Sequence, residues 1–274
     1  MNSISPKHSE KVYSDFYSLV SDRHLPIDMI SNSVVLSQGA LWKHRMIRDD
    51  SATHHHTRDN SSPAVPAGTP TIVEWAILDH LLDLHCALLE VGKDELRVLP
   101  PMDSIDDLAQ RITATFRRTL PALRIASKWL RANFKYVVQD QEFASFQLTE
   151  KGKGSESNKK TANKISGHST KTILFWKTYA QFLLALSLAF PANELPSLSA
   201  PLEEDIEMRG FSPLRNLMGE SKILSEKLSD DGVGQSREQV HPNVEQLMRI
   251  ADLLDDAQAL VAMQVCLVYY QYLL

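Results

Sequence analysis

Between Thr172 and Phe190 the chain reads TILFWKTYAQFLLALSLAF, with Trp176, Tyr179, Phe182, Leu183 and Leu186 on one helical face and apolar residues at most other positions. This run constrains the fold more than any other feature. A helix that is apolar on nearly every side has to be surrounded by other elements, so it must be central. A chain of 274 residues, 43% of them hydrophobic, can supply those neighbours and bury a sizeable core. The glycine count is only 10, and long Leu/Ala/Ile runs replace the short alternating segments of β proteins, so the expected class is all-α.

The remaining patterns supply the partners. In EKVYSDFYSLVSDRH, Val12, Phe16, Leu19 and Val20 recur at helical spacing, and Ile27, Ile30, Val34, Leu41 and Trp42 continue the pattern in the next segment. From Thr71, a broad face of Ile77, Leu78, Leu81, Leu82, Leu84, His85, Leu88 and Leu89 predicts a helix that stops near Gly92. The next is expected to start at MDSIDDLAQRI, capped by Asp103 or Ser104, and to break or kink at Pro121 unless the proline opens a new helix. Leu123, Ala126, Trp129, Leu130 and Phe134 follow in register, and a last helix starts at Asn243.

Polar, Ser/Gly/Pro/Lys-rich stretches separate these helices and cannot bury enough apolar surface to offset ordering. The organisation read from this is an N-terminal helical pair over 1–50, a disordered linker over 51–70, and a main helical-hairpin domain over 71–274. Disordered loops at about 150–171 and 228–242 interrupt that domain. Stacked antiparallel helical hairpins, of α-solenoid or bundle type, fit this layout. Ala257 to Leu274 carries no charge, but glutamines recur through it, and it reads as a buried core helix rather than a tail anchor. Because the chain stops inside that pattern, a fragment lacking a helix partner is expected.

Lys+Arg 29 against Asp+Glu 34 gives a net charge of -5, without the basic excess of a dedicated nucleic-acid binder, though a local patch remains open. Cys86 and Cys266 sit in apolar helical patterns, as reduced thiols of a nuclear or cytoplasmic protein would. The N-terminus has no apolar signal core, and no membrane association is expected.

Few residues invite chemistry. His54, His55 and His56 lie in the linker, which lacks the rigid second shell a metal needs. His80, His85 and Cys86 are spaced by five and one, off a common helix face. Glu203, Glu204, Asp205 and Glu207 have no accompanying phosphate loop, nucleophile elbow or His/Asp pair, so no catalytic, metal or cofactor site and no small-molecule substrate is expected. Their bland reading is a connector in which the carboxylates cap a short helix or pair with Arg209. Lys151, Lys153, Lys159, Lys160 and Lys164 are the candidate nucleic-acid contacts. No aromatic lies among them to stack a base, which favours a solvated linker.

The segment after the central helix, LPSLSAPLEEDIEMRGFSPL, carries a resemblance. Glu203, Glu204, Asp205, Glu207, Met208, Arg209, Gly210, Phe211, Pro213 and Leu214 resemble the short signature between two late helices of the Est/Smg family. That family comprises the telomerase-activating Est proteins and the Smg adaptors of nonsense-mediated mRNA decay. The resemblance implies a non-enzymatic scaffold, located in nucleus or cytoplasm, with protein partners in mRNA surveillance or telomerase complexes. Its alternative is direct binding of single-stranded RNA or telomeric DNA. The family's N-terminal tetratricopeptide-like, phosphopeptide-reading domain and the nuclease domain of one branch have no counterpart here, so the chain is read as the helical-hairpin region. In that reading Gly210 permits a tight turn, Phe211 and Leu214 enter the core, and Arg209 satisfies buried carboxylates or carbonyls.

Overall fold

The computed structural model describes residues 6–54, 71–98, 107–151, 159–214, 217 and 240–262. Seven α-helices lie among them: α1 (Pro6–Ser21), α2 (Ile27–His54), α3 (Ile72–Arg97), α4 (Ala114–Lys151), α5 (Lys159–Ala189), α6 (Glu203–Glu207) and α7 (Pro242–Ala262). Short 3-10 turns occupy Leu108–Arg111, Ala192–Glu194 and Ser212–Leu214. No strand occurs among the described residues, and the fold is all-α as the periodicities require.

Side-chain pairs fix the direction of each helix. Asp83 meets Lys171, Glu90 meets Thr178 and Lys93 meets Gln181, so α3 and α5 run parallel. Tyr17 donates to Asp94, and Tyr13 has Cys86 and Glu90 as neighbours, which sets α1 parallel to both. Arg118 donates to the Leu25 carbonyl just before α2 and Arg45 to Asn133, so α2 runs parallel to α4. Arg117–Asn243, Arg124–Asp252 and Lys128–Asp256 set α7 parallel to α4 as well. Tyr136 donates to Glu74, and Thr113 to Glu95, so α3 and α4 are antiparallel. The result is two layers, α1–α3–α5 running one way and α2–α4–α7 the other. It is the stacked-hairpin arrangement expected, with α3 and α4 at its centre.

Local chemistry explains most boundaries. Thr71 Oγ1 accepts from the Glu74 amide at 3.1 Å while Glu74 Oε1 accepts from the Thr71 amide at 3.4 Å, a capping box that starts α3. Asp107 caps the 3-10 turn at Leu108, and Thr113 accepts from the Phe116 amide to start α4. That start lies later than the expected cap at Asp103 or Ser104, both outside the described residues. Pro121 sits inside α4 without ending it. Packing of α4 against α2, α3, α5 and α7 outweighs a cost of roughly 3 kcal/mol for an interior proline.

Gly92 does not end α3, which continues to Arg97. It is small because of where α3 meets the aromatic cluster: a Cβ there would stand 2.7 Å from Phe182 Cε2 and 3.3 Å from Phe116 Cε2. The polar segments also differ from expectation. α2 runs to His54, four residues into the expected linker, and residues 55–70 lie outside the described set. α4 reaches Lys151 and α5 begins at Lys159, so the expected loop over 150–171 is helical at both ends, with 152–158 undescribed. Extending an existing helix costs far less than nucleating one, so α5 continues back through this polar stretch from its packed, apolar turns. The expected loop at 228–242 falls almost wholly in the undescribed 218–239, and α7 is described as far as Ala262.

Lys171–Ala189 is long and apolar enough to cross a membrane by length and composition, but half of that stretch is buried within the protein. Phe175, Trp176, Tyr179, Phe182 and Leu186 face the interior, whereas Ile173, Leu174, Leu184 and Leu188 are exposed. Gly92→Ala is expected to destabilise the fold by about 1–3 kcal/mol through overpacking against Phe182, although alanine gains up to about 1 kcal/mol in helix propensity. Urea denaturation reads the net sign, and a more stable variant would mean the rings yield freely.

Candidate functional site

The acidic signature does not face solvent as a whole. α6 places Glu203 and Glu207 outward and turns Glu204 and Asp205 into the protein, where each is 3% exposed. Asp205 Oδ2 accepts from the Leu202 amide at 2.8 Å, closing the N-terminus of α6, so one expected role of the carboxylates, capping, is met. The other, pairing with Arg209, is not: Arg209 lies past the turn and is exposed. The partners come from α4 and α7 instead.

Arg249 of α7 grips Glu204 with two parallel hydrogen bonds, Nε to Oε1 at 2.9 Å and Nη2 to Oε2 at 2.8 Å. Arg124 of α4, 1% exposed, reaches the same carboxylate at 3.3 Å and stands 2.7 Å from Asp205 Oδ1, off the line of its N–H bonds. Its Nε donates to Asp252 Oδ2 at 2.5 Å. Lys128 bridges Asp252 at 2.7 Å and Asp256 at 3.0 Å, and Arg131 donates to Asp256 at 3.0 Å. Four cations (Arg124, Lys128, Arg131, Arg249) thus meet Glu204, Asp205, Asp252 and Asp256 in one cluster, with half-exposed Glu245 a fifth carboxylate 3.9 Å from Arg249.

Helical spacing builds it. Arg124, Lys128 and Arg131 fall at i, i+4 and i+7 on α4, and Arg249, Asp252 and Asp256 at i, i+3 and i+7 on α7, so each helix offers one charged stripe. Burial works against the Arg124 charge, yet Asp252, Asp205 and Glu204 outweigh it and hold the guanidinium charged beyond its ordinary range. Burial likewise opposes ionisation of Glu204 and Asp252, but Arg249 and Arg124 depress the first, and Arg124 and Lys128 the second. Glu204 and Asp252, both of whose oxygens are engaged and which are held ionised by arginine and lysine, are unsuited to proton transfer.

The rest of the signature anchors the crossing. The Met208 amide caps α6 on the Glu204 carbonyl at 3.0 Å, and Gly210 takes φ +79°, where only glycine is unstrained. Phe211 is half-buried, beside Gly39 of α2. Leu214 is fully buried, and the carbonyl of buried Pro213 accepts from Asn133 Nδ2 at 3.0 Å. Asp28, Glu203 and Glu207 line an open groove of about 460 Å³ between α2 and α6, whose charge repels phosphate.

The lysines are placed differently from expectation. Lys151 ends α4, and Lys159, Lys160 and Lys164 lie in the first turns of α5, while Lys153 is outside the described residues. Because Phe134 meets Trp176 and Phe116 meets Phe182 and Phe190, α4 and α5 are antiparallel, and these ends lie together. Exposed Lys43 and Lys135 lie elsewhere, level with the Arg45–Asn133 bond and about 24 Å of helix before Lys151. His55 and His56 fall outside the described residues. Cys86 is buried, its thiol pushed up to about 12 by burial, and Cys266 lies outside the described residues. His85, wholly enclosed and edge-on to Trp129, is lowered to about 3 by burial and stays neutral.

Arg124, Lys128, Arg249, Asp252 and Asp256 are the residues the sequence reading missed. Their signal was available in complementary charges at helical spacing on two segments, hidden because charge normally marks the solvent face. Glu204→Ala is expected to cost about 3–5 kcal/mol, because Arg249 loses its buried partner. Depressed carboxylates bind fewer protons in the folded chain than in the unfolded one. The stability from Glu204 and Asp252 is therefore complete above roughly pH 4, the unfolded range, and lost as pH falls through their folded values. Thermal melting from pH 7 to pH 3 should show that loss, flattened in Glu204→Ala. Gly210→Val should cost about 1 kcal/mol or more from φ alone, and wild-type melting of that variant would mean the turn relaxes without strain.

A family profile described as the Est1 DNA/RNA binding domain matches residues 52–217, from the end of α2 through the acidic signature. No curated protein and no solved structure matches the chain.

Proposed function

The chain belongs to the Est1 DNA/RNA-binding-domain family, and on that basis we propose that it is a non-enzymatic helical scaffold that holds single-stranded RNA or DNA at its basic end. The family match carries this reading. Two features of the molecule support it. The buried acids of the signature are spent inside the fold, which leaves them no catalytic part, and the basic residues Lys151, Lys159, Lys160 and Lys164 fall where α4 ends and α5 begins. Lys160 and Lys164 stand at i and i+4, on one helix face able to follow a phosphate backbone. With a net charge of -5 and an acidic groove elsewhere, binding is confined to that end and is weak and sequence-tolerant. Serving mRNA surveillance or telomere maintenance, in nucleus or cytoplasm, is the biological setting this proposal takes from the Est/Smg resemblance.

Titration of labelled single-stranded RNA and its DNA equivalent at two salt concentrations tests the reading. Wild type is expected to bind in the micromolar range with steep salt dependence. Replacing Lys151, Lys153, Lys159, Lys160 and Lys164 with serine should remove roughly 0.7 from the log-log salt slope for each phosphate that is no longer neutralised. Identical curves for the two proteins would remove the basic end as the binding element.

A further inference from the structure

Where the two layers meet, α3, α4, α5 and α7 close around a small interior cavity of about 20 Å³. Leu89, Leu123, Leu130, Phe175, Phe182 and Leu253 make most of its wall apolar. Two polar side chains interrupt that wall, His85 from α3 and Ser127 from α4. Both are deep inside, His85 being 2% and Ser127 4% exposed. Neither His85 Nε2 nor Ser127 Oγ has a hydrogen-bond partner among the described residues, so each bears its desolvation cost uncompensated. The hydroxyls of Ser33, Ser37, Thr119 and Ser187 donate to a carbonyl three or four residues back in their own helices. That of Ser127 does not.

We propose that this cavity is a binding site for a single water molecule, which bridges His85 of α3 to Ser127 of α4. The space suits that ligand, since a buried water needs roughly 10–15 Å³ and two to four polar partners. A wholly apolar cavity of the same size would stay dry. The chemistry also suits it. Burial lowers His85 to about 3, so the imidazole is neutral, with one ring nitrogen a donor and the other an acceptor. Water and a serine hydroxyl can each donate or accept, so the bridge forms with either tautomer. The competing arrangement is an imidazole N–H donated to the face of Trp129, because His85 stands edge-on to that ring with centroids 5.7 Å apart. It leaves the Ser127 hydroxyl without a partner. The water joins helices of opposite layers by directional bonds at a point where the surrounding contacts are apolar, and so fixes how α3 sits on α4. The site is independent of the nucleic-acid reading.

Oxygen-17 relaxation dispersion of the solvent, recorded on the full chain, counts long-lived internal waters. Ser127→Ala removes one arm of the bridge with a small change of volume, and is expected to show one such water fewer than wild type. His85→Leu is expected to lose the same water, so the double variant shows no further loss. Thermal melting gives a second reading: the double variant should lose less in Tm than the two single losses added together, because either change alone already breaks the bridge. A crystal structure of wild type should place a water within about 3.2 Å of both His85 Nε2 and Ser127 Oγ. If His85→Leu does not fold, the comparison of wild type with Ser127→Ala decides alone. Equal water counts in those two proteins would overturn the proposal. So would a crystal structure in which Ser127 donates to the Leu123 carbonyl and the imidazole to Trp129.

Discussion

The ion cluster at the meeting of α4, α6 and α7 is the contact that organises the second half of the structure. Taking buried charges such as Arg124, Glu204 and Arg249 out of water is expensive, and a purely apolar interface of the same size could be as stable. The cluster adds register. Sliding α7 one turn so that Met248 faces Arg124 would take Asp252 away from that guanidinium and leave it only the α6 carboxylates Glu204 and Asp205. Sliding the other way would leave Lys128 opposite Leu260. Each misregister breaks buried ion pairs, whereas apolar side chains repeating every three to four residues would tolerate either shift.

α6 extends the same logic to the chain's path. It is one turn long and has no stability of its own. Two of its carboxylates, held by Arg124 and Arg249, bring it onto the α4–α7 seam, and Gly210 then allows the reversal that delivers Leu214 to the core and the Pro213 carbonyl to Asn133. The family signature is therefore a docking device that ties a non-helical crossing to three helices. Its outward members, Glu203 and Glu207, face the groove beside α2.

At the other centre of the fold, aromatic packing replaces ion pairing. Phe116, Phe182 and Phe190 cluster, and Gly92 of α3 leaves room for the Phe182 and Phe116 rings. The two centres act on different layers: rings join α5 to the α3–α4 hairpin, and charges join α7 to α4. The lysine-bearing ends of α4 and α5 take part in neither centre.

The expected central place of the Thr172–Phe190 helix was not met: α3 and α4 hold the centre, and α5 borders its layer with Ile173, Leu184 and Leu188 exposed. The class of fold and the apolar faces were legible in the chain alone, because helical periodicity and the burial of large side chains are local properties. So were the turn at Gly210 and the burial of Leu214. Three-dimensional packing settled the rest. Whether Gly92 ends a helix or admits a neighbour depends on where Phe182 lies, and local sequence holds no information about that. Pro121 is tolerated because packing on several sides outweighs one missing hydrogen bond. The partner of the acidic run was misread as Arg209, its near neighbour in sequence, when Arg124 and Arg249 lie 80 and 45 residues away from Glu204. Charges pair across space, and only the alignment of α4 with α7 brought those arginines to the carboxylates.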